Sequence, residues 1–256
     1  MSLPRFPSPP AFLGDRPIEV VVVGAGGTGS MLLSGLGRLD CALRAQNHPG
    51  MQVTVYDPDT VSPSNVGRQN FATADIGYKK AVLMVHRING FYGLDWKAMP
   101  VRYDKPTTDL DLLIGCVDSG LFRYKLGKAC AGRHMRCLWL DTGNGAETAQ
   151  IVCGHLGKTS GLRLPNVYDL FGDQLLAGDH DDQPSCSLAE ALSRQRWSVN
   201  PLVAVTALTI LDNLVHRGGL DDHGALLRLT PLTVTALSID PAVWSMMGYD
   251  TAAVAA

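Results

Sequence analysis

The fold is decided by the stretch Val20-Val21-Val22-Val23-Gly24-Ala25-Gly26-Gly27-Thr28-Gly29-Ser30. The four valines predict a buried strand. Gly24, Gly26 and Gly29 fit the pattern G-x-G-x-x-G, which permits a tight turn, close approach of a phosphate, and close helix–strand packing. A helix that starts near Thr28 would point its free N–H groups and positive dipole end at the same place. The stretch predicts a nucleotide-binding turn, with Gly27 in its phosphate-binding backbone; a glycine turn without a ligand is the alternative.

A second strand, Gln52-Val53-Thr54-Val55-Tyr56, ends at Asp57. An acidic residue at this place binds ribose hydroxyls in dinucleotide-binding folds, roughly 20 residues after the glycine turn. The spacing here is longer, and a helix running to about Ala45 followed by the loop Asn47-His48-Pro49-Gly50 accounts for it. We expect Asp57 to bind ribose; the alternative is a solvated aspartate at a strand end.

A cluster of polar side chains comes after this second strand. Asn65, Arg68 and Gln69 lie in one short loop, and Lys80 opens the next predicted helix. Arginine recognises phosphate oxygens through a planar pair of donors, and lysine supplies a mobile point charge. Together they suit a triphosphate with a pyrophosphate leaving group. A dehydrogenase needs no such cluster, so the residues favour ATP over a nicotinamide cofactor.

A third apolar segment, Leu110-Asp111-Leu112-Leu113-Ile114-Gly115-Cys116-Val117, leads to Asp118. Asp118 would lie at the carboxyl end of a sheet strand, where ligands of such sheets bind. A carboxylate at that position can hold Mg²⁺ against phosphates. Asp118 is therefore the candidate metal ligand.

These motifs together resemble one enzyme family. The series GxGGxGS, YDxDxVxxSNxxRQ, GxxKA and VDS…R is similar to the ThiF/MoeB/HesA family, the bacterial relatives of ubiquitin-activating enzymes, and Arg123 fits the last motif. The similarity covers nearly the whole chain. Pro184-Ser185-Cys186-Ser187, Val199-Asn200-Pro201, the chain length and the proline-rich start look most like the ThiF family protein of the PRTRC gene cassette.

The resemblance implies an ATP-dependent adenylyltransferase, a nucleotidyltransferase that activates the C-terminal carboxylate of a small ubiquitin-like β-grasp protein. It assigns Asp57 to ribose, Asn65, Arg68 and Lys80 to phosphates, and Asp118 to Mg²⁺, with Asp59 and Gln69 supporting the pocket. It also implies a two-fold homodimer, and a JAMM-type peptidase as companion if the PRTRC likeness holds. Relatives often take a further arginine from a partner's N-terminal segment; Arg5 and Arg16 are the candidates here.

The expected architecture is an α/β fold with a Rossmann-like, doubly wound, mostly parallel sheet extended by antiparallel strands. Residues 1–17, with five prolines, predict an extended arm, and residues 18–256 a single adenylation domain. Within it we assign residues 18–145 to nucleotide binding and residues 146–256 to a crossover loop, helices and a terminal hairpin. The segment from Leu202 to Leu211 is apolar nearly all round, which predicts a buried helix or a dimer interface. We expect Asn200 to cap this helix and Pro201 to be its first residue.

Composition bounds the class of protein. The 256 residues contain 46% hydrophobic and 18% charged residues, which are values of a globular domain. A net charge of −2 argues against general nucleic-acid binding. We expect a cytoplasmic protein, since the sequence shows neither a signal-peptide core nor the roughly 18 apolar residues of a membrane span.

The six cysteines include no CxxC pair, so we expect no structural zinc, although many relatives carry two such motifs. Cys116, Cys137 and Cys153 are expected to be reduced core residues. Cys186 follows a glycine-rich loop and precedes a predicted helix N-terminus, which lowers a thiol pKa. It is the candidate for a thioester with the activated carboxyl group; a half-buried capping cysteine is the alternative. The run Asp179-His180-Asp181-Asp182 is either a metal site or a solvated acidic turn.

Two further functions stay open on the sequence alone. One is a non-catalytic ATP-binding module that docks a ubiquitin-like partner. The other is an NAD(P)-dependent oxidoreductase, which would leave Arg68, Lys80 and Asp118 without a purpose.

Overall fold

The structure is a computed structural model that describes residues 4–14, 16–104, 106, 109–177 and 195–249. Within these ranges the strands are β1 (Phe6–Pro7), β2 (Ile18–Val23), β3 (Met51–Tyr56), β4 (Lys97–Met99), β5 (Leu112–Gly115), β6 (Leu138–Asn144), β7 (Thr148–His155), β8 (Gly219–Leu220), β9 (Asp222–Leu229) and β10 (Leu232–Ser238). The α-helices are α1 (Gly27–Ala45), α2 (Lys80–Tyr92), α3 (Gly120–Cys130), α4 (Val167–Phe171), α5 (Val199–His216) and α6 (Pro241–Met246).

Eight of these strands form one sheet in the order β10-β9-β7-β6-β5-β2-β3-β4. The five strands from β4 to β6 are parallel, and β7, β9 and β10 continue the sheet in antiparallel pairing. The strand order reverses at β2, which has β3 on one side and β5 on the other. Ligands of such sheets bind in the crevice at this reversal, beyond the carboxyl ends of the strands. The predicted fold is confirmed.

The central strands of the sheet are covered on both faces, which accounts for their apolar sequences. Val20 and Val22 are at most 2% exposed, and all four residues of β5 are buried. The helix after the glycine turn runs to Ala45, as predicted, and packs against α2 and α5. The predicted terminal hairpin is formed by β9 and β10, and it joins the main sheet through β7.

Helix α5 confirms the prediction of a buried apolar helix after residue 200, since it packs on α1 and on strands β6, β7 and β9. It begins at Val199, with Ser198 in the N-cap position, so the prediction of Asn200 as cap and Pro201 as first helical residue was wrong. Among the described residues α5 alone is long and apolar enough to cross a membrane, a criterion that core helices also meet.

The proline-rich start packs on its own chain. β1 pairs with β8, and Phe6 and Phe12 are 5% and 1% exposed. Arg16 forms a two-pronged ion pair with Asp111, at 2.6 and 2.7 Å, at the amino end of β5. Arg5 bonds Asp221. Both candidate arginines of the arm are thus engaged within their own chain, and Arg16 lies at the opposite end of the sheet from the crevice.

Candidate functional site

The glycine turn lies at the carboxyl end of β2. Gly24 has φ +96°, a conformation that favours glycine, and its N–H donates to the Tyr56 carbonyl at 2.8 Å. A Cβ on Gly29 would lie 2.0 Å from the Gly24 carbonyl oxygen, so α1 starts directly against the turn. Gly26 is the N-cap of α1, and as a glycine it has no side chain to cap the helix. Its first N–H groups therefore offer a site for an anion.

Asp57 braces this turn. Its side chain accepts the Ala25 N–H at 2.6 Å and the Asp59 N–H at 2.8 Å, and only 4% of the residue is exposed. Burial raises the pKa of Asp57, while these two hydrogen bonds and the charge of Lys80 oppose the rise. Each carboxylate oxygen retains a second lone pair, so the geometry fits the predicted contact with ribose hydroxyls.

Lys80 forms an ion pair with Asp59, with Nζ and Oδ2 3.1 Å apart. The lysine side chain is 8% exposed and the aspartate side chain 63%. The Lys80 N–H also donates to the Asp59 carbonyl, which fixes the start of α2 against the loop. In this arrangement Lys80 is neutralised by Asp59, and a phosphate would have to share or replace that partner.

Arg68 is a partly buried cation with a neutral partner. Its Nη1 donates to Gln195 Oε1 at 3.1 Å, and its buried Nε has no hydrogen-bond partner among the described residues. Burial lowers the pKa of Arg68, and the charge of Asp118 acts against this. Unused donors on a partly buried guanidinium are suited to an anion.

The neighbours of Arg68 shape the loop. Asn65 is 8% exposed and closes a capping box, since its Oδ1 accepts the Ser62 N–H at 2.9 Å. The Gln69 N–H donates to the Asn65 carbonyl, also at 2.9 Å. The Gln69 side chain approaches Gly26, and its buried Oε1 has no partner within the described ranges. Asn65 thus fixes the loop that carries Arg68, and Gln69 borders the glycine turn.

Asp118 follows β5 and is exposed at the crevice. Beneath it, Arg123 joins the ends of two strands: Nη2 donates to the Val117 and Thr142 carbonyls at 2.6 and 2.9 Å, and Nε to Asp141 Oδ2 at 2.7 Å. No three His, Cys, Asp or Glu side chains come together as a metal site in the described part of the chain. A single exposed carboxylate nevertheless fits Mg²⁺, which takes one or two carboxylates together with substrate phosphates.

A cluster of amide and hydroxyl side chains at the start of α1 was not predicted from the sequence. Asn200 Oδ1 accepts from Asn144 Nδ2 at 2.6 Å and from Thr28 Oγ1 at 3.1 Å, and only 1% of Asn200 is exposed. A Cβ on Gly27 would lie 2.6 Å from Asn200 Nδ2, so Gly27 is glycine to admit this side chain. The signal in the sequence was a polar residue, Asn200, in the first turn of an apolar helix.

A groove begins at Asn144 and extends over the antiparallel strands. Its volume is ≈ 610 Å³. It is lined by Gly143, Asn144, Gly145, Thr148, Ala149, Gln150, Leu226, Leu227, Arg228, Pro231, Thr233 and Thr235. The lining combines glycine backbone, hydroxyl and amide groups, two leucines and one arginine, Arg228.

The described cysteines are all free. Cys137 and Cys153 are fully buried, and burial raises the pKa of Cys116 and Cys153 to about 12. At these pKa values Cys116 and Cys153 are protonated at neutral pH. Cys186 and the acidic run at residues 179–182 lie outside the described residues.

The fold is shared with solved structures. It matches Escherichia coli MccB with ATP (13% identity, TM-score 0.57) and with succinimide (14% identity, TM-score 0.57), and PaaA (14% identity, TM-score 0.54). Each match covers 87% of this chain and 64% of the other, so the chain spans less than two thirds of their length. No curated protein matches the chain. The sequence profile of the ThiF family matches residues 16–249, and with this coverage the chain belongs to the ThiF family.

Proposed function

We propose that the chain is an ATP-dependent adenylyltransferase that activates the C-terminal carboxylate of a small ubiquitin-like β-grasp protein as an acyl-adenylate. Family membership and the shared fold support this class of enzyme. The single observation that carries the proposal is the environment of Arg68. A partly buried guanidinium with an unpartnered Nε, among the described residues, beside the nucleotide turn has a purpose in polyphosphate binding and none in hydride transfer.

The chemistry is largely positioning and neutralisation of charge. A carboxylate oxygen of the substrate bonds to the α-phosphorus of ATP, the bond from that phosphorus to the bridging oxygen breaks, and pyrophosphate leaves with the electron pair. No general base is required, because a carboxylic acid is already ionised at neutral pH.

The residues divide the nucleotide between them. Asp57 binds the ribose, and the N-terminus of α1 binds phosphate through its free N–H groups. Arg68 and Lys80 hold the outer phosphates, Lys80 by exchanging Asp59 for a phosphate oxygen, while Asn65 fixes the loop. Asp118 would hold Mg²⁺, which neutralises phosphate charge when bound.

The groove supports a polypeptide as the second substrate. It starts at Asn144, whose side chain contacts Thr28 at the start of α1, so a chain lying in it would end at the nucleotide turn. Gly145 has no side chain there, so a terminal segment of small residues could approach its backbone closely. MccB has been solved with ATP and with MccA. We propose here a ubiquitin-like partner, a homodimer, a cytoplasmic location, and the PRTRC branch of the family with its JAMM-type companion.

The acceptor determines the fate of the acyl-adenylate. We propose transfer to a thiol or a sulfur carrier, with Cys186 as the candidate thioester site. Loss of transfer after Cys186→Ser, with adenylation retained, is the expected result for that role; full transfer by this variant would exclude it.

The deciding experiment is ATP–pyrophosphate exchange, with and without the ubiquitin-like protein encoded nearby. We expect exchange that requires the partner and is lost in Asp118→Ala. ATP binding without exchange under any partner would favour the non-catalytic module. Binding of NAD in place of ATP would refute the proposal and favour an oxidoreductase.

A further inference from the structure

Gln195 joins the phosphate-binding arginine to two other parts of the site. Its Oε1 accepts from Arg68 Nη1 at 3.1 Å and from Asn200 Nδ2 at 3.3 Å. Its Nε2 donates to the Gly145 carbonyl at 3.1 Å, in the wall of the groove. One carboxamide thus uses its acceptor on the arginine and its donor on the backbone of the β6–β7 turn.

Gln195 Oε1, which accepts a hydrogen bond from Arg68, is a neutral oxygen and therefore a weaker acceptor for a guanidinium than a charged one. Hydrogen bonds to an ionised acceptor are roughly twice as strong as those between neutral groups, and arginine prefers two parallel bonds to one planar anion. Arg68 makes one bond to a neutral amide, and its Nε has no partner among the described residues. A phosphate that reached Arg68 could take two parallel hydrogen bonds from Nη1 and Nη2, the pair of nitrogens at the end of the guanidinium, and would displace the amide oxygen.

We propose that Gln195 holds the place of a phosphate oxygen on Arg68, and that polyphosphate binding requires its release. Gln195 then determines how tightly the site binds polyphosphates, a role that rests on the proposed function and adds to it. The side chain of Gln195 must be uncharged for this role. A carboxylate at this position would pair with Arg68 permanently, whereas the amide stabilises the guanidinium until a stronger acceptor arrives.

The test compares substitutions that differ in charge. Gln195→Glu keeps the shape and adds a negative charge, Gln195→Ala removes the contact, and Gln174→Glu adds the same charge at an exposed site in the 3₁₀ turn Gly172–Leu176. The probes are ATP with Mg²⁺, inorganic pyrophosphate and adenosine, titrated calorimetrically into the full chain. Thermal melting of each variant establishes that it is folded.

We expect Gln195→Glu to weaken binding of ATP and pyrophosphate by about tenfold or more, while adenosine binding stays unchanged. Gln195→Ala should bind both as tightly as the original protein or more tightly, and Gln174→Glu should match the original. In an Arg68→Ala background, the effect of Gln195→Glu should largely disappear, because the two residues act through one contact.

Three results would overturn the inference. They are unchanged polyphosphate binding by Gln195→Glu, an equal loss in Gln195→Ala, and an undiminished loss in the Arg68→Ala background. These results can be distinguished from a failure of the proposed function. Expected affinities without any ATP–pyrophosphate exchange would remove adenylation and leave the role of Gln195 intact; failure of the original protein to bind any polyphosphate would remove both.

Discussion

Replacing Arg123 by methionine removes the cation from a buried ion pair beneath the nucleotide crevice. The side chains of Arg123 and Asp141 are 7% and 1% exposed, and their Nε and Oδ2 atoms lie 2.7 Å apart. Asp141 Oδ1 has no partner among the described residues, so the substitution leaves the whole carboxylate uncompensated. It also releases the Val117 carbonyl, which precedes Asp118 and accepts from Arg123 at 2.6 Å.

The expected loss is about 3–5 kcal/mol, which is typical when one partner of a buried ion pair is removed. With roughly 2–4 °C per kcal/mol for a chain of this size, the melting temperature should fall by about 6–20 °C. Burial already raises the pKa of Asp141, and without Arg123 it should rise further. The folded variant then binds a proton more readily than its unfolded chain does. Its stability therefore falls as pH rises, and the loss should be smaller in mildly acidic than in mildly alkaline buffer.

Urea denaturation of Arg123→Met, Asp141→Leu and the double variant measures the coupling between the two groups. The double variant should recover much of the stability, since an apolar pair can replace a buried ion pair. Its affinity for ATP with Mg²⁺ should stay low, because the anchor of the Val117–Asp118 segment is still missing. A loss below about 1 kcal/mol in Arg123→Met, or costs that simply add in the double variant, would refute the reasoning.

Three further predictions concern the glycine turn, two histidines and the cysteines. Gly27→Ala should destabilise the fold by about 1–3 kcal/mol, because the new Cβ would clash with the Asn200 amide. Gly90→Ala, in α2 with no atom within 4 Å of the new Cβ, should stabilise it by up to about 1 kcal/mol. Thermal melting compares the two variants, and equal effects would contradict the packing argument. Burial lowers the pKa of His155 and His223 to about 4, so their neutral forms stabilise the fold fully above pH 6.5, and about 3 kcal/mol each should be lost as pH falls to about 4. Denaturation over a pH series tests this, with His223→Gln expected to reduce the slope. Iodoacetamide should leave the fully buried Cys137 and Cys153 unmodified in the folded protein and modify both after unfolding, as peptide mass mapping would show. Rapid labelling of either thiol in the folded protein would mean that burial does not protect it.

The sequence predicts the fold well where local and long-range requirements agree. Four valines followed by a glycine turn require a central parallel strand with a helix packed closely behind it, and β2 and α1 have this arrangement. The alternation of polar and apolar residues after Glu147 predicts an antiparallel strand, and β7 pairs antiparallel with β6. The sequence also places Asp57 correctly, because the apolar alternation of the second strand stops at Tyr56, the last residue of β3.

The contacts of the site side chains were not accessible in the same way. Gln195 meets Arg68 across 127 residues, and Asn200 meets Thr28 across 172. No periodicity or spacing rule relates such pairs, because they depend on how segments distant in the sequence pack together, as α5 does against α1. The candidate arginine Arg16 shows the reverse case: its charge suits a phosphate, but the buried carboxylate of Asp111 binds it at the other end of the sheet.

Under the proposed function, the change from parallel to antiparallel pairing at β6 makes room for two substrates. Parallel strands need crossover helices, which cover the sheet faces and leave ligands only the crevice at the strand ends. Short turns join β6 to β7 and β9 to β10, so these pairs need no crossover helix, and part of a sheet face stays open as the groove. Asn144, the last residue of β6, lies at the boundary and contacts Thr28 at the start of α1. A nucleotide in the crevice and an extended chain in the groove would therefore meet at Asn144, which is the arrangement that attack of a terminal carboxylate on the α-phosphorus requires. Asn144→Ala should accordingly lower the exchange rate that the protein substrate stimulates more than it lowers the affinity for ATP alone. A loss of ATP affinity without a loss of that stimulation would place the meeting point elsewhere.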